Sequence, residues 1–249
     1  MHQRYTQYDR FAKIYNRHLS QFSQRALPVL ERLMLSQLTA PAHILDICCG
    51  TGQMARALLA RGYKVTGVDG SAQMLHLAKE NAPGAQFFLS DVRDMNLSPS
   101  FAGAVSLFDS LNHILTLDEL TLVFVNVRAA LHPSGPFVFD LNMEQAFVTC
   151  WHRYFQAIEG NDHVQIQSSW DCESKLGRNH VTLLRADDGR PIEELTVVER
   201  CYSETEITTA LYAAGFCSVR VYDAKRDLGM LEETGRSFFL CHNACHENG

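Results

Sequence analysis

The sequence predicts a single α/β domain: a doubly wound, mostly parallel sheet with a small antiparallel β insertion between its fifth and sixth strands. Three observations carry this expectation. From His43 onward, short β-rich apolar runs alternate with amphipathic helical segments; a glycine turn directly follows the first run; and the pattern changes to polar, alternating strands between Met143 and Tyr202. A length of 249 residues suits one large domain with a modest insertion better than two independent domains.

The chain opens with two helical stretches, one on Tyr8, Phe11, Ala12 and Tyr15, the other on Leu27, Leu30, Leu33 and Leu35. HILDICC then leads into MARALLARG, YKVTGVD into SAQMLHLAKENAP, and QFFLSD into AVSLFDS with a helix through Leu131, before GPFVFDL. Right-handed crossovers between such runs give parallel strands with helices on both faces. Gly62 suits a helix C-cap, Ser71 an N-cap, and Pro133 with Gly135 the end of the long helix. The insertion reads as VQIQSSW, NHVTLLRA and EELTVVERCY, broken at Gly160, Gly177 and the turn 187–189. SETE at 203–206 reads as a capping box opening a helix through Ala214, with Gly215 ending it and the strands CSVRVYDA and RSFFLCHN following. The main domain is therefore expected to comprise 1–142 and 203–249, with 143–202 capping the active site.

Composition narrows the function classes. Hydrophobic residues make up 46%, charged residues 20%, and no apolar run is long enough for a membrane span, so a soluble, cytoplasmic protein is expected. The first ten residues lack the basic start and apolar stretch of a secretory signal. On that basis the eight cysteines are expected to be reduced thiols. A net charge of −6 without any basic block lacks the electrostatic footprint of a phosphate-backbone binder, so nucleic acid is a poor candidate partner.

The informative segment is ILDICCGTGQMA, a strand running into a glycine turn and a helix. Gly50 and Gly52 let the backbone turn tightly and approach a ligand, and the helix start aims free amides at it. Gly50, Gly52 and Ala55 equally satisfy the dinucleotide pattern GxGxxG/A, so the glycines alone do not decide. Asp46 does: a carboxylate beside the turn repels a pyrophosphate and favours S-adenosylmethionine, which carries an ammonium and a sulfonium. The alternative for Asp46 is a strand-end acid that merely caps the turn. Asp69 ends the second strand, placed to accept both ribose hydroxyls. Asp91 ends the third, placed to accept from the adenine amino group while the Val92 amide donates to the ring.

These segments resemble the class I S-adenosylmethionine-dependent methyltransferases. ILDICCGTG is similar to that family's first motif, VTGVDGSAQML to its second, FLSDVRDM to its third, FAGAVSLFDSLNHIL to its fourth-strand motif and LHPSGPFVFDLN to its fifth-strand motif. YDRFAKIYN and the insert ending in VVERCYSETEITTALYAAGF resemble a subgroup of small bacterial enzymes akin to amino-sugar N-methyltransferases. The resemblance implies a Rossmann-like sheet in the order 3-2-1-4-5-7-6, with S-adenosylmethionine as cofactor and S-adenosylhomocysteine as product. It places Gly50, Gly52, Asp69, Asp91, Val92 and Phe108 around the cofactor, Asp46 near the amino-acid end and Met74 against the adenosine. Cys48 replaces the more usual glycine and narrows the space beside the methionine moiety; Gly70 stands where a bulkier residue often follows the ribose acid. Tyr8 and Tyr15 then close over the donor, or serve as ordinary core aromatics of an amphipathic helix.

Methyl transfer requires nucleophile, methyl and sulfur to be held in line, so a strong acid-base pair is not obligatory. Where a base is needed, His113, after the fourth strand, is the candidate, the alternative being a structural hydrogen-bonder. Trp151, Tyr154, Glu199, Arg200 and Tyr202 in the insertion either meet substrate or pack the small sheet. No metal is expected: Cys241, His242, Cys245 and His246 in the tail CHNACH match no common zinc spacing. The leading expectation is an N- or O-methyltransferase for a small-molecule acceptor, with a homodimer compatible. Its competitors are a nicotinamide-dependent oxidoreductase, a non-catalytic sensor of the donor or its product, and an RNA or protein methyltransferase.

Overall fold

A computed structural model describes residues 5–159, 162–185 and 188–242. Helix α1 (Thr6–Ile14) continues through a π-helical turn (Tyr15–Leu19) to α2 (Phe22–Leu33). Then follow β1 (His43–Ile47), α3 (Gln53–Leu59), β2 (Lys64–Asp69), α4 (Ala72–Asn81), β3 (Gln86–Leu89), β4 (Gly103–Ser106), α5 (Leu117–Ala130), β5 (Pro136–Asn142) and α6 (Glu144–Cys150). Four strands, β6 (Tyr154–Glu159), β7 (Asp162–Asp171), β8 (Leu176–Arg185) and β9 (Pro191–Arg200), precede α7 (Glu204–Ala213), β10 (Ser218–Asp223) and β11 (Arg236–His242).

The main sheet runs β3-β2-β1-β4-β5-β11-β10, the expected order with β11 and β10 as its seventh and sixth strands. Strands β1 to β5 pair in parallel, and β11 is antiparallel to both β5 and β10. Alternate residues of each central strand point to opposite faces. Leu45, Ile47, Phe137, Phe139 and Phe239 pack with Phe124 of α5 and Leu211 of α7 on one side. Ile44, Val138, Phe238 and Leu240 pack with Leu30 of α2 and Leu58 of α3 on the other. Every residue of β5 is buried, as both faces require. Each such side chain contributes about 1.5–3 kcal/mol by leaving water.

Local chemistry sets the boundaries. Ser71 Oγ accepts from the Met74 amide at 3.1 Å, and Ser203 with Glu206 forms a full capping box on α7. Gly62 and Gly215 hold positive φ just after α3 and α7.

β6, β7, β8 and β9 form a separate antiparallel sheet. Its inner face meets α1 through Val164, Val181, Leu195 and Val197, against Ile14, Tyr8 and Phe11. Helix α6 and strand β6 were not anticipated. Gly177 lies within β8 rather than breaking it, because a Cβ there would stand 2.6 Å from the Trp151 ring. Gly160 and Asp187 lie outside the described residues.

Cys217 is disulfide-bonded, which corrects the expectation of reduced thiols throughout. That expectation came from compartment, whereas the fold brings Cys217 beside the end of β11, its amide donating to the His242 carbonyl at 2.9 Å. Cys241 and His242 end β11; Cys245 and His246 lie outside the described residues. Among the described residues no group of His, Cys, Asp or Glu is arranged for a metal ion, and no helix is long and apolar enough to cross a membrane.

Candidate active site

A cavity of about 610 Å³ opens at the carboxyl ends of the central strands, where such sheets bind ligands. Its floor is the turn after β1. Cys48, Gly50 and Gly52 all hold positive φ, at 52°, 52° and 81°. For Cys48 this left-handed conformation costs about 1–2 kcal/mol, a strain typical of functional turns. Gly50 donates its amide to Asp69 Oδ2 at 2.9 Å, and Ser71 donates to Oδ1 at 2.9 Å, so Asp69 ties the turn to the end of β2. A Cβ on Gly50 would lie 3.4 Å from the Tyr15 ring, and one on Gly52 would lie 3.0 Å from Ala78 of α4.

The turn is strongly acidic for a buried site. Asp46 is 3% exposed, and its Oδ2 has no hydrogen-bond partner. Burial, and then the neighbouring Asp69 charge, push its carboxyl up to about 8. Burial likewise raises Asp69 to about 6, against the opposing pull of the Ser71 and Gly50 amides. Such carboxyls want a cation, and they disfavour a pyrophosphate.

Helix α1 forms the roof. Asp9 Oδ1 accepts from Ser71 Oγ at 2.6 Å and from the Gln73 amide at 3.1 Å, pinning α1 to the start of α4. Asn16 Oδ1 accepts from Gln53 at 2.7 Å and from Asn81 at 2.8 Å, the latter also donating to the Thr51 carbonyl. These polar staples hold Tyr8 and Tyr15 over the cavity. Tyr15 packs on Phe108 at 6.0 Å between centroids, and Tyr8 meets the edge of His113 at 5.6 Å.

The far wall contains a charge network. Phe108 and Asp109 both adopt positive φ, 62° and 49°, and both donate their amides to Asp140, at 2.7 and 3.0 Å. Asp140 therefore fixes a strained corner that would otherwise relax. Arg236 donates to Asp109 at 2.9 Å, to Asp140, and to Glu233 at 2.9 Å, with its guanidinium 4.6 Å above the Phe22 ring. Asn142 links Asp109 at 2.9 Å to Glu199 at 3.4 Å. Burial raises the Glu199 carboxyl well above its ordinary value, and the Asp109 charge adds to the effect.

A family model described as a methyltransferase domain matches residues 44–135, from β1 to the approach of β5. The dTDP-3-amino-3,4,6-trideoxy-α-D-glucopyranose N,N-dimethyltransferase of Streptomyces venezuelae is 29% identical over 186 residues, covering 74% of this chain and 78% of that protein. Residues 44–135 carry a methyltransferase domain, and the chain is an S-adenosylmethionine-dependent methyltransferase. Among solved structures, the CcbJ methyltransferase of Streptomyces caelestis superposes with a TM-score of 0.76 at 19% identity, covering 96% of this chain and 99% of that one. S-adenosylmethionine-bound CalS10, an amino pentose methyltransferase from Micromonospora echinaspora, gives 0.72 at 22% identity, covering 90% and 92%. The methyltransferase uses S-adenosylmethionine as its methyl donor.

The cavity wall of the methyltransferase includes Tyr8, Tyr15, Cys48, Gly50, Asp69, Gly70, Met74, Val92, Phe108 and His113. Three residues expected to contact the cofactor do not line this cavity. Gly52 is the N-cap of α3, where it makes room for Ala78. Asp46 lies buried beneath the turn rather than in the wall. Both oxygens of Asp91 accept from Arg93, at 2.7 and 2.6 Å, which ties the end of β3 to the Arg93 side chain. Burial opposes the ionised form of Asp91, but those hydrogen bonds outweigh it and bring the carboxyl down to about 2.

Of the insertion residues, Glu199 lines the cavity. Trp151 packs on Phe147, Tyr154 is exposed, Arg200 stacks 4.7 Å above Tyr202, and the Tyr202 hydroxyl donates to the Ile114 carbonyl. Sequence reasoning missed Tyr5, whose ring stands over Gly70 so closely that a Cβ there would be 2.1 Å away. It also missed Arg236 and Asp140. The FDLN segment, an acid in an otherwise apolar buried strand, was the available signal for Asp140.

Proposed function

We propose that the methyltransferase alkylates the nitrogen of a small amine, with the 143–202 segment capping the acceptor end and His113 taking a proton from the acceptor. The donor, when bound, supplies a methyl group on a positively charged sulfur, which accepts the electron pair of the breaking carbon–sulfur bond. The chain's own residues suit it: Asp69 and the Gly50 turn at one end of the cavity, Met74, Val92 and Phe108 along its wall, and the buried Asp46 carboxyl beneath. What remains for the protein is to orient the acceptor, exclude water and remove a proton.

The observation that carries this reading is the state of His113. Its Nδ1 lies 3.1 Å from the Val198 carbonyl oxygen, which can only accept, so Nδ1 carries the proton and Nε2 keeps its lone pair. Burial lowers its pKa below the ordinary value, against the Asp109 charge and the Val198 hydrogen bond, so the ring is neutral at pH 7 and Nε2 is a base. The Streptomyces venezuelae relative is named for methylation of an amino sugar nitrogen, which supports nitrogen as the acceptor atom.

The direct test incubates the methyltransferase with methyl-labelled S-adenosylmethionine and fractionated cell metabolites. Label on the nitrogen of a small amine is expected. Label confined to RNA or protein, or consumption of the donor without any labelled acceptor, would contradict the proposal.

A further inference from the structure

The charge of the cavity is one-sided. Among the described residues its wall carries the carboxyl groups of Asp69, Asp109, Glu119 and Glu199, the imidazole of His113 and a single guanidinium, Arg93. Arg93 is already committed, to Asp91 through Nε and Nη2 and to Glu119 through Nη1 at 3.1 Å. Arg236, behind Phe108, is shared by Asp109, Asp140 and Glu233. An anionic acceptor therefore meets Asp109 and Glu199 with both nearby guanidinium groups neutralised by other partners, an arrangement that rejects phosphate.

The same end of the cavity is otherwise apolar, walled by Phe11, Phe155, Ile166, Val181 and Val197. Glu199 is the carboxyl on that wall, with Asn179 as the neighbouring polar side chain. It is 3% exposed, its Oε2 accepts from Asn142 at 3.4 Å, and its Oε1 faces His113 Nε2 at 3.9 Å. A carboxyl and a neutral imidazole nitrogen thus converge at the rim of an apolar chamber. That pairing fits an ammonium nitrogen, which offers one N–H to each.

We infer that the acceptor is an organic cation, a primary or secondary ammonium on an apolar body bearing no phosphate, and that Glu199 recognises its nitrogen. This rests on the amine reading given above and narrows it, because an amino sugar linked to a nucleoside diphosphate is excluded. The proton balance is closed. As the ammonium arrives, Glu199 releases its carboxyl proton to solvent and pairs with the cation; one N–H proton then passes to His113 Nε2, leaving a neutral amine with its lone pair free. The groups that face Glu199 and bear on this exchange are Asp109, Asn142, His113 and Arg236.

The test is calorimetric titration of the methyltransferase saturated with S-adenosylhomocysteine, using 2-phenylethylamine, its neutral counterpart 2-phenylethanol and thymidine diphosphate as probes at pH 7.5. The amine is expected to bind at least about tenfold more tightly than the alcohol, with no uptake of thymidine diphosphate. Glu199→Gln keeps the bond to Asn142 and is expected to bring amine and alcohol within about twofold, whereas Glu199→Asp retains part of the preference. Uptake of thymidine diphosphate, no uptake of the amine, equal binding of amine and alcohol, or an amine preference that survives Glu199→Gln each overturns the inference. Failure of S-adenosylhomocysteine itself to bind instead sinks the reading of the site as a donor pocket, and the titration that loads the protein shows this first.

Discussion

Asp9 Oδ1 accepts a hydrogen bond from Ser71 Oγ at 2.6 Å, although the two residues stand 62 positions apart. Ser71 is also the N-cap of α4, so one contact fastens the roof of the cavity to the strand end that carries Asp69. The leading helix is therefore part of the cavity wall rather than an appendage to it.

Asp9→Ala removes the acceptor for both Ser71 and Gln73. A loss of roughly 1–2 kcal/mol in S-adenosylhomocysteine binding is expected, five- to thirtyfold in Kd, with little change in melting temperature. Calorimetry on the variant checks this, and unchanged affinity would detach α1 from donor binding.

His113→Gln retains a donor for the Val198 carbonyl but has no basic nitrogen. Turnover is expected to fall by about 10²–10⁴-fold, with affinity for S-adenosylhomocysteine unchanged. In the unaltered enzyme, kcat/KM should decline as pH falls through the pKa of His113, which lies below the ordinary histidine value because of burial. An acidic limb of the profile that is unchanged in His113→Gln would remove His113 as the base.

Asp46 makes a distinctive prediction about protons. Its carboxyl, raised to about 8, is mostly protonated at pH 7 in the free protein, and a cationic ligand favours the ionised form. Donor binding at pH 7 should therefore release protons, measured as a dependence of the calorimetric enthalpy on the buffer's ionisation enthalpy. The release should vanish above pH 9 and in Asp46→Asn. The stability sign follows from the same shift. Between about pH 4 and 8 the native state holds a proton that the unfolded chain has lost, so stability contributed at this site falls as pH rises. Asp46→Asn should accordingly gain melting temperature relative to the parent at pH 8.5 and not at pH 5.

Arg93→Gln leaves Asp91 buried without its bidentate partner, and a destabilisation of about 3–5 kcal/mol is expected in denaturant unfolding. Combining it with Asp91→Asn should recover part of that loss. Because Asp91 is depressed to about 2, its contribution is present above the ordinary carboxylate range and is lost as pH falls toward 2. Acid unfolding of Arg93→Gln should begin at higher pH than that of the parent.

The strands of the sheet and the glycine turn were legible in the sequence because they are written in local periodicity and in turn residues: HILDICC, Gly50, and the caps Ser71 and Ser203 each act within a few positions, whereas the strand order came from the family resemblance. The charge network was not. Arg236 reaches Asp109 across 127 positions and Asp140 across 96, and nothing local marks these three as partners. Asp91 shows the opposite case. Its partner is only two residues away, yet the motif reading considered the carboxylate toward a ligand and left Arg93 aside. Gly177 misled for a related reason: a glycine that makes room for Trp151 within a strand has the same sequence signature as one that breaks it.

The central claim is that buried acids beneath and beside the first turn make this a pocket for a cationic adenosine compound. Calorimetric titration of the protein with S-adenosylmethionine, and in parallel with NADH, tests it most directly. One-to-one uptake of S-adenosylmethionine with proton release at pH 7, and no heat from NADH, is the predicted result; saturable binding of NADH with none of S-adenosylmethionine would contradict it.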